Sequence, residues 1–384
     1  MSGVSLFTRA LNMRVAVLFN TDFQNGPESD EEDTEPPIFW KANAEIAEVA
    51  DAVAESLVVA GYTPIVMGID HSVDDLLTRL ADARADAVFN LVESLGGDTH
   101  REPEVPLCLR DAGIPYTGCG PEILSVAHAK DATRELLRAA RVPVPRGIAV
   151  NTVANLREVA SESLEFPMFV KPARADGSIG ISQAAVVYSM HELVERVRDL
   201  ETVMSGPFVV EEYLPGREFN VAIFPEPFGH RVATEIDFTG YPKDYAPIVT
   251  YDCKWEEGSP EYTAFSVPAV DRVSPLLYAQ ILDVAGRAFV ALHGDAYGRV
   301  DLRLDANGTP RVIDVNPNSD IHPDAGLLIA ARTVGVDHAA LVSQIMTSAL
   351  RRERLNAHPQ RLRQRSRADR RTALSDRQLQ RGRD

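Results

Sequence analysis

The chain has 384 residues, 45% hydrophobic and 25% charged, with a net charge of −17. That length suits two or three compact units, and the composition is that of an ordinary soluble protein. No apolar run reaches the length of a membrane span. Three scattered cysteines, Cys108, Cys119 and Cys253, lack metal-ligand spacing and fit a reducing cytoplasm. Residues 351–384 carry 12 Arg against 4 acids (+8), which leaves −25 for the rest, an acidic body that argues against a nucleic-acid-binding core.

Taken in order, the N-terminal MSGVSLFTRALNM has no continuous apolar segment ahead of a small-residue cleavage site, so no secretion signal is expected. Met13 to Asn20 reads as a buried parallel strand. The acidic, proline-bearing stretch from Thr21 to Pro37 is expected to be a mobile loop. Helical spacing from Lys41 to Ala60 ends at Gly61, and TPIVMGID forms a second strand. A helix over Val73 to Ala83 precedes a third strand, Asp86 to Ser94. A helix over Val105 to Ala112 and a short strand in IPYTGCG follow. Strands alternating with helices imply a parallel sheet that binds ligands at its carboxyl ends, so the loops after Asn20 and Glu93 are candidate substrate loops.

Ser125 to Arg141 reads as one helix containing Lys130. FPMFVKPARADGSIGIS is a strand entering a glycine-rich loop, with Lys171 at the strand end. A lysine so placed can pair with phosphate while loop N–H groups close over it, although a plain glycine-rich turn has the same pattern. PFVVEEYL is a strand that ends in Glu211, Glu212, Tyr213 and Leu214 before Pro215-Gly216; a chain bending there exposes backbone groups that can read an adenine edge. REFNVAIFP and HRVATEIDF alternate as antiparallel strands, and Thr239 to Ala264 is a long irregular loop. Ser274 to Leu292 is helical, and Gly326 to Ala349 is a last helical region.

Between them lies GRVDLRLDANGTPRVIDVNPN, two strands joined at Asn307-Gly308. Asp314 and Asn316 project from one face of the second strand, and Asp301 lies on its neighbour. Two acids and an amide oxygen converging across a hairpin suit Mg²⁺ that shares phosphate oxygens with a nucleotide. An ordinary solvated hairpin has the same alternation.

Lys130, VKPARADGSIGIS, EEYLPGREFNVAI, Lys254, GRVDLRL and IDVNPN together resemble, in order and spacing, the ATP-grasp superfamily, and most closely D-alanine–D-alanine ligases. VFNLVES and GIPYTGCGPEILSVAHAKDATRELLRAARVPVP add to the likeness, which covers roughly residues 13 to 350. It implies an α/β protein of three units with an α+β central one. These are an N-terminal substrate domain (13–124), a central ATP-grasp domain (125–212) and a C-terminal catalytic domain (213–350), followed by the Arg-rich tail (351–384).

By the same resemblance Lys130 and Lys171 hold the phosphates of ATP. Glu211, Tyr213 and Leu214 form the adenine-contacting strand, and Glu218 binds ribose. Lys254 closes over the γ-phosphate, with Ser178 nearby. Asp301, Asp314 and Asn316 ligate two Mg²⁺ ions, with Mn²⁺ as a substitute. Arg299 steadies the reacting carboxyl group and the tetrahedral intermediate. The implied reaction is amide formation between a small carboxylate and an amine through an acylphosphate, in a cytoplasmic homodimer that needs neither nucleic acid nor membrane. His128, His293 and His322 are expected to be structural.

The chain departs from the family where substrates are recognised. Gly177 stands for a serine and Trp255 for a tyrosine, and PNSDIHPDAG replaces the small-residue segment after the metal strand; apart from these, the metal ligand at 314 is aspartate where glutamate is usual. The family's N-terminal glycine-rich signature is absent. These departures favour an amino acid or specialised metabolite as substrate, with Asn20, Asp22, Glu93, Ser94, Asp320 and His322 as candidate contacts. A D-alanine–D-alanine ligase, or a non-catalytic ATP-binding homologue, are the alternatives. The tail suits either a solvated extension or a module for anionic partners.

Overall fold

The computed structural model describes residues 13–22, 46–162 and 164–354. The acidic stretch after Asp22, the first residues of the helix expected from Lys41, and the Arg-rich tail beyond Arg354 lie outside the described residues.

The described residues form three sheets. The first is parallel, in the order β2-β1-β3, formed by Arg14–Asn20 (β1), Thr63–Ile69 (β2) and Ala87–Asn90 (β3). β1 is buried along its length after Arg14, as an apolar run covered on both faces requires. The second is antiparallel, β4-β7-β5-β6, from Gly147–Val150 (β4), Met168–Pro172 (β5), Val186–Val187 (β6) and Phe208–Glu212 (β7). The third is antiparallel, β10-β9-β8-β11-β12, from Glu218–Ile223 (β8), Arg231–Asp237 (β9), Phe265–Pro268 (β10), Gly298–Leu304 (β11) and Pro310–Pro317 (β12). The first and third sheets share one hydrophobic core that runs from Val15 and Phe89 through Phe219 and Val300 to Leu341. The second has its own core, where Val170 and Val210 meet Leu193 and Val197 of the helix Met190–Val203.

Several expectations need correction. The helix expected over Ser125 to Arg141 is two, Pro121–Ala127 and Lys130–Ala139. Ala129 leaves the helical region, and the Lys130 N–H bonds to Ala173 O just past β5, so Lys130 opens a helix rather than sitting within one. The third strand stops at Asn90, and IPYTGCG contributes only a bridge from Tyr116 to Val88. Tyr213 and Leu214 lie beyond β7. The long loop after Thr239 contains a short helix, Tyr251–Trp255, and leads into β10, neither visible in the apolar pattern. Gly335, at φ +76°, breaks the last helical region into Gly326–Thr333 and His338–Arg354, bent by 99°. In the β11–β12 turn only Gly308 has positive φ, because Asp305 Oδ1 accepts from the Asn307 and Thr309 N–H groups and closes a longer loop. Among the described residues no single helix is long and apolar enough to cross a membrane.

Candidate functional site

A cavity of about 1350 Å³ opens where the three sheets meet. β5 and β7 pair with Phe169 opposite Glu211, which puts Lys171 and Glu211 on one face as diagonal neighbours. Lys171 Nζ lies 2.9 Å from Glu211 Oε1 and donates to Ile313 O at 2.9 Å; both side chains are buried. An ammonium has three donors, so one remains for a ligand.

β11 and β12 pair Asp301 with Asp314 and Arg299 with Asn316, with a register shift after Asp301. Asp301 is heavily engaged. Arg299 forks onto it at 2.7 and 2.9 Å, and the amides of Asn220 and Asn316 donate at 2.7 and 3.1 Å. Asp314 accepts from the Val315 N–H at 3.1 Å, and its other oxygen lies 3.8 Å from Lys130 Nζ. Among the described residues no three His, Cys, Asp or Glu side chains form a metal cage. The set is two acids and an amide, all on the cavity wall. Hard oxygen donors on one wall, with Asp314 only partly engaged, fit Mg²⁺ that takes its remaining ligands from phosphate and water.

A chain of charges that the sequence did not suggest crosses the cavity floor. Glu102 Oε2 lies 2.7 Å from His128 Nε2, and His128 Nδ1 lies 3.2 Å from Asp176 Oδ2. Asp176 Oδ1 then accepts from Lys130 Nζ at 2.6 Å, and Ala175 O accepts from the same ammonium at 2.8 Å. Burial alone would lower the His128 pKa, but Asp176 and Glu102 raise it to about 10, so the ring is an imidazolium donating at both nitrogens. Burial opposes the charge on Asp176 too, yet Lys130 and His128 hold its carboxyl far below the ordinary range. His128 lines the cavity, and its contact with Asp176 ties this segment to the glycine-rich loop.

Ser178, at φ +62°, lines the cavity and its hydroxyl donates to Val249 O at 3.2 Å. Lys254 sits on the helix Tyr251–Trp255, capped by Thr250, whose hydroxyl accepts from the Cys253 N–H at 3.1 Å. Lys254 is solvent-accessible within the cleft, but the surrounding walls, and then the charge of Arg299, lower its pKa.

The remaining candidates divide. Asn20, Asp22 and Ser94 do not line the cavity. They brace one another: Asn20 accepts from the Glu93 N–H and donates to Asp22, which accepts from Ser94 Oγ and the Gly97 N–H. Glu93, Asp320 and His322 do line it. Burial, then the charges of Asp320, Glu102 and Asp176, push the Glu93 carboxyl up to about 8. Asp320 Oδ1 accepts from the His322 N–H at 2.7 Å, an Asx turn that shapes the loop.

Glu218, Leu214 and Tyr213 converge on a residue not singled out in sequence, Arg303, which is 4% exposed. Its Nε donates to Leu214 O at 2.6 Å, one terminal nitrogen to Glu218 at 2.8 Å and the other to the Tyr213 hydroxyl at 3.4 Å. The period of two along β11 puts Arg299, Asp301 and Arg303 on one face, which was the signal for it.

The profile of the D-ala D-ala ligase C-terminus family matches residues 139–347. The chain belongs to that family. The uncharacterized protein y4sG of Sinorhizobium fredii is 28% identical over 88% of this chain and 98% of its own length. The D-alanine–D-alanine ligase of Pseudomonas entomophila is 28% identical over 78% of this chain and 86% of its own. The crystal structure of D-alanine–D-alanine ligase from Bacillus anthracis complexed with ATP superposes with a TM-score of 0.67 at 19% identity, covering 90% of this chain and 99% of that one. The VanG D-Ala:D-Ser ligase of Enterococcus faecalis gives 0.63 at 18% identity, covering 88% and 99%. The α/β ATP-grasp architecture read from the motifs is therefore the fold of this family member, and the protein is an ATP-grasp ligase relative of the D-alanine–D-alanine ligases.

Proposed function

We propose that this family member is an ATP-dependent carboxylate–amine ligase that releases ADP and phosphate, with a substrate pair other than two D-alanines. The observation that carries the reading is the shared wall of one cavity. Lys130, Lys171, Lys254 and Arg299 line it together with the oxygen trio of Asp301, Asp314 and Asn316, and Glu93, Asp320 and His322 line the same space. Four cations beside hard oxygen donors suit a triphosphate; the altered remainder suits a changed substrate.

In this reading Lys130 and Lys171 each turn a third N–H to the phosphates, and Lys254 covers the γ-phosphate with Ser178 beside it. Glu211, Tyr213 and Leu214 take the base, and Glu218 takes the ribose. Asp301, Asp314 and Asn316 hold Mg²⁺, two ions or Mn²⁺ in its place, and the metal supplies charge neutralisation at the phosphates. Arg299 orients the substrate carboxylate, whose oxygen attacks the γ-phosphorus to give an acylphosphate and ADP. An amine then attacks the acyl carbon, and phosphate leaves. Catalysis rests on positioning and charge rather than on a covalent enzyme intermediate.

The same reading proposes the unit boundaries 13–124, 125–212 and 213–350, a homodimer, and a cytoplasmic location where ATP is available. The names of the relatives favour one other reading, D-alanine–D-alanine ligase itself. Hydroxylamine trapping tests the chemistry: with Mg-ATP and a carboxylate substrate the protein should yield the hydroxamate and ADP together. ADP formation without hydroxamate, under conditions that trap a reference acylphosphate, would count against the acylphosphate route.

A further inference from the structure

We propose that Arg303 is the residue that positions the base and sugar of the nucleotide and sets the preference for a ribose over a deoxyribose. The inference rests on the nucleotide reading of this cavity, and it concerns a side chain to which that reading gives no role.

The segment from Glu212 to Glu218 joins the second and third sheets, and it is stapled to the end of β11. Gly216 N donates to Leu304 O at 3.0 Å, and Leu304 N to Arg217 O at 3.0 Å. A Cβ on Gly216 would lie 2.5 Å from Leu304 O, so the approach needs glycine. Arg303 sits at this junction and serves three acceptors at once. The Leu214 carbonyl fixes the bend of the joining segment. Glu218, paired across β8 and β11 in register with Arg303, is held as an ion pair at 2.8 Å with both side chains buried. The Tyr213 ring lies with its centroid 5.4 Å from the guanidinium, and its hydroxyl accepts the remaining contact.

Only a planar guanidinium can make this set of contacts, because its donors are fixed in a fork. The fork also leaves Glu218 an oxygen for a ligand. Arg303 occupies Oε2, and Oε1 stays available to a sugar hydroxyl. Without the arginine, Glu218 would be a buried carboxylate lacking its partner, which would turn away or take a proton and cease to be a strong acceptor. The residue thus acts through its neighbours: through Leu214 on the base-facing bend, and through Glu218 on the sugar.

The two routes separate by substitution. Arg303→Lys keeps a cation beside Glu218 but cannot also reach Leu214. It should weaken ATP, 2′-deoxyATP and 3′-deoxyATP alike, by about tenfold for a lost charge-assisted hydrogen bond. Arg303→Met should weaken ATP further and bring the deoxy analogues level with it. Binding is read by isothermal titration with Mg²⁺ and each nucleotide, and thermal melting without nucleotide selects variants that are folded. The expected result is a wild-type preference for ATP over one or both deoxy analogues that survives in Arg303→Lys and is lost in Arg303→Met. If folded Arg303→Met keeps the wild-type ratio, or the wild type binds all three nucleotides equally, the inference is overturned while ATP binding itself stands. If the wild type binds no ATP, the nucleotide reading fails, and the inference with it. Should Arg303→Met not fold, Arg303→Gln, which also removes the cation beside Glu218, replaces it: loss of the preference supports the sugar route, and an unchanged ratio overturns it.

Discussion

The indole N–H of Trp255 donates to the carbonyl of Gly177 at 2.9 Å, joining the helix that carries Lys254 to the glycine-rich loop. Both residues are departures from the family pattern noted in the sequence, where tyrosine and serine are usual. The structure shows the departures to be partners, with an indole-to-backbone bond between the two positions. Gly177, at φ +61°, and Ser178, at φ +62°, turn the loop so that this carbonyl is presented. Tyr251 N donates to Ile181 O at 2.9 Å and reinforces the junction.

Trp255→Phe keeps an aromatic ring and removes the donor. We expect catalytic efficiency toward ATP to fall by about fivefold, the value of one hydrogen bond of ~1 kcal/mol, with melting temperature little changed. Gly177→Ala leaves ordinary contacts with the indole, the nearest 3.8 Å from the new Cβ. Its cost is conformational, ~1–2 kcal/mol for a left-handed residue with a side chain, and shows as lower thermal stability.

The buried Lys171–Glu211 pair invites a double-mutant cycle. Lys171→Met alone strands a carboxylate and should destabilise by ~3–5 kcal/mol. Adding Glu211→Gln should recover most of that stability. ATP binding should remain lost in the double variant, because the cation is still missing. Denaturant unfolding and nucleotide titration on the same four proteins check both halves.

His128 gives a pH signature. Its folded pKa, about 10, lies above the ordinary value of 6.5, so its stabilisation is full below about 6.5 and is lost as pH rises through about 10. Glu93 acts in the same direction at lower pH: its raised pKa lets the folded state hold a proton between about 4.5 and 8, so stability falls as pH climbs through that window. Melting temperatures from pH 6 to 10 should decline in the wild type, and less steeply in His128→Gln. Equal slopes in the two proteins would contradict the assignment of an imidazolium at this position.

Arg352 belongs to the fold, which bears on the boundary expected at 351. Its guanidinium donates to Tyr116 O and Gly118 O at 2.8 Å and to Asp295 at 3.1 Å, and lies 4.8 Å from the Tyr116 ring centroid. Arg352→Ala should cost ~2 kcal/mol, in the range for hydrogen bonds from a charged donor. Removing residues 355–384 leaves Arg352 in place. A truncation test for the Arg-rich tail therefore has to begin after Arg354.

The parts of this protein legible in its sequence are those fixed by local period. The alternation in GRVDLRL and RVIDVNP put Asp301, Asp314 and Asn316 on one face, and the pairing of Asp301 with Asp314 realises it. The apolar run of β1 was legible because a doubly covered strand has no polar face. What was missed depends on distant segments. Glu102, His128 and Asp176 come from three regions, and nothing in any one of them announces the chain of charge they form. The break at Ala129 arises because Lys130 N is taken by Ala173, a tertiary contact that overrides a helical sequence. Asn20, Asp22 and Ser94 carried polar groups at the right strand ends, but those groups satisfy one another rather than the cavity.

The central claim is that the nucleotide machinery is kept while the substrate pair has changed. Phosphate release from the purified protein with Mg-ATP, against D- and L-amino acids singly and in pairs, tests it most directly. The account predicts release that depends on a carboxylate and an amine other than two D-alanines, with the matching amide in the products. Release with D-alanine alone, accompanied by D-alanyl-D-alanine, would contradict it and return the protein to the activity for which its relatives are named.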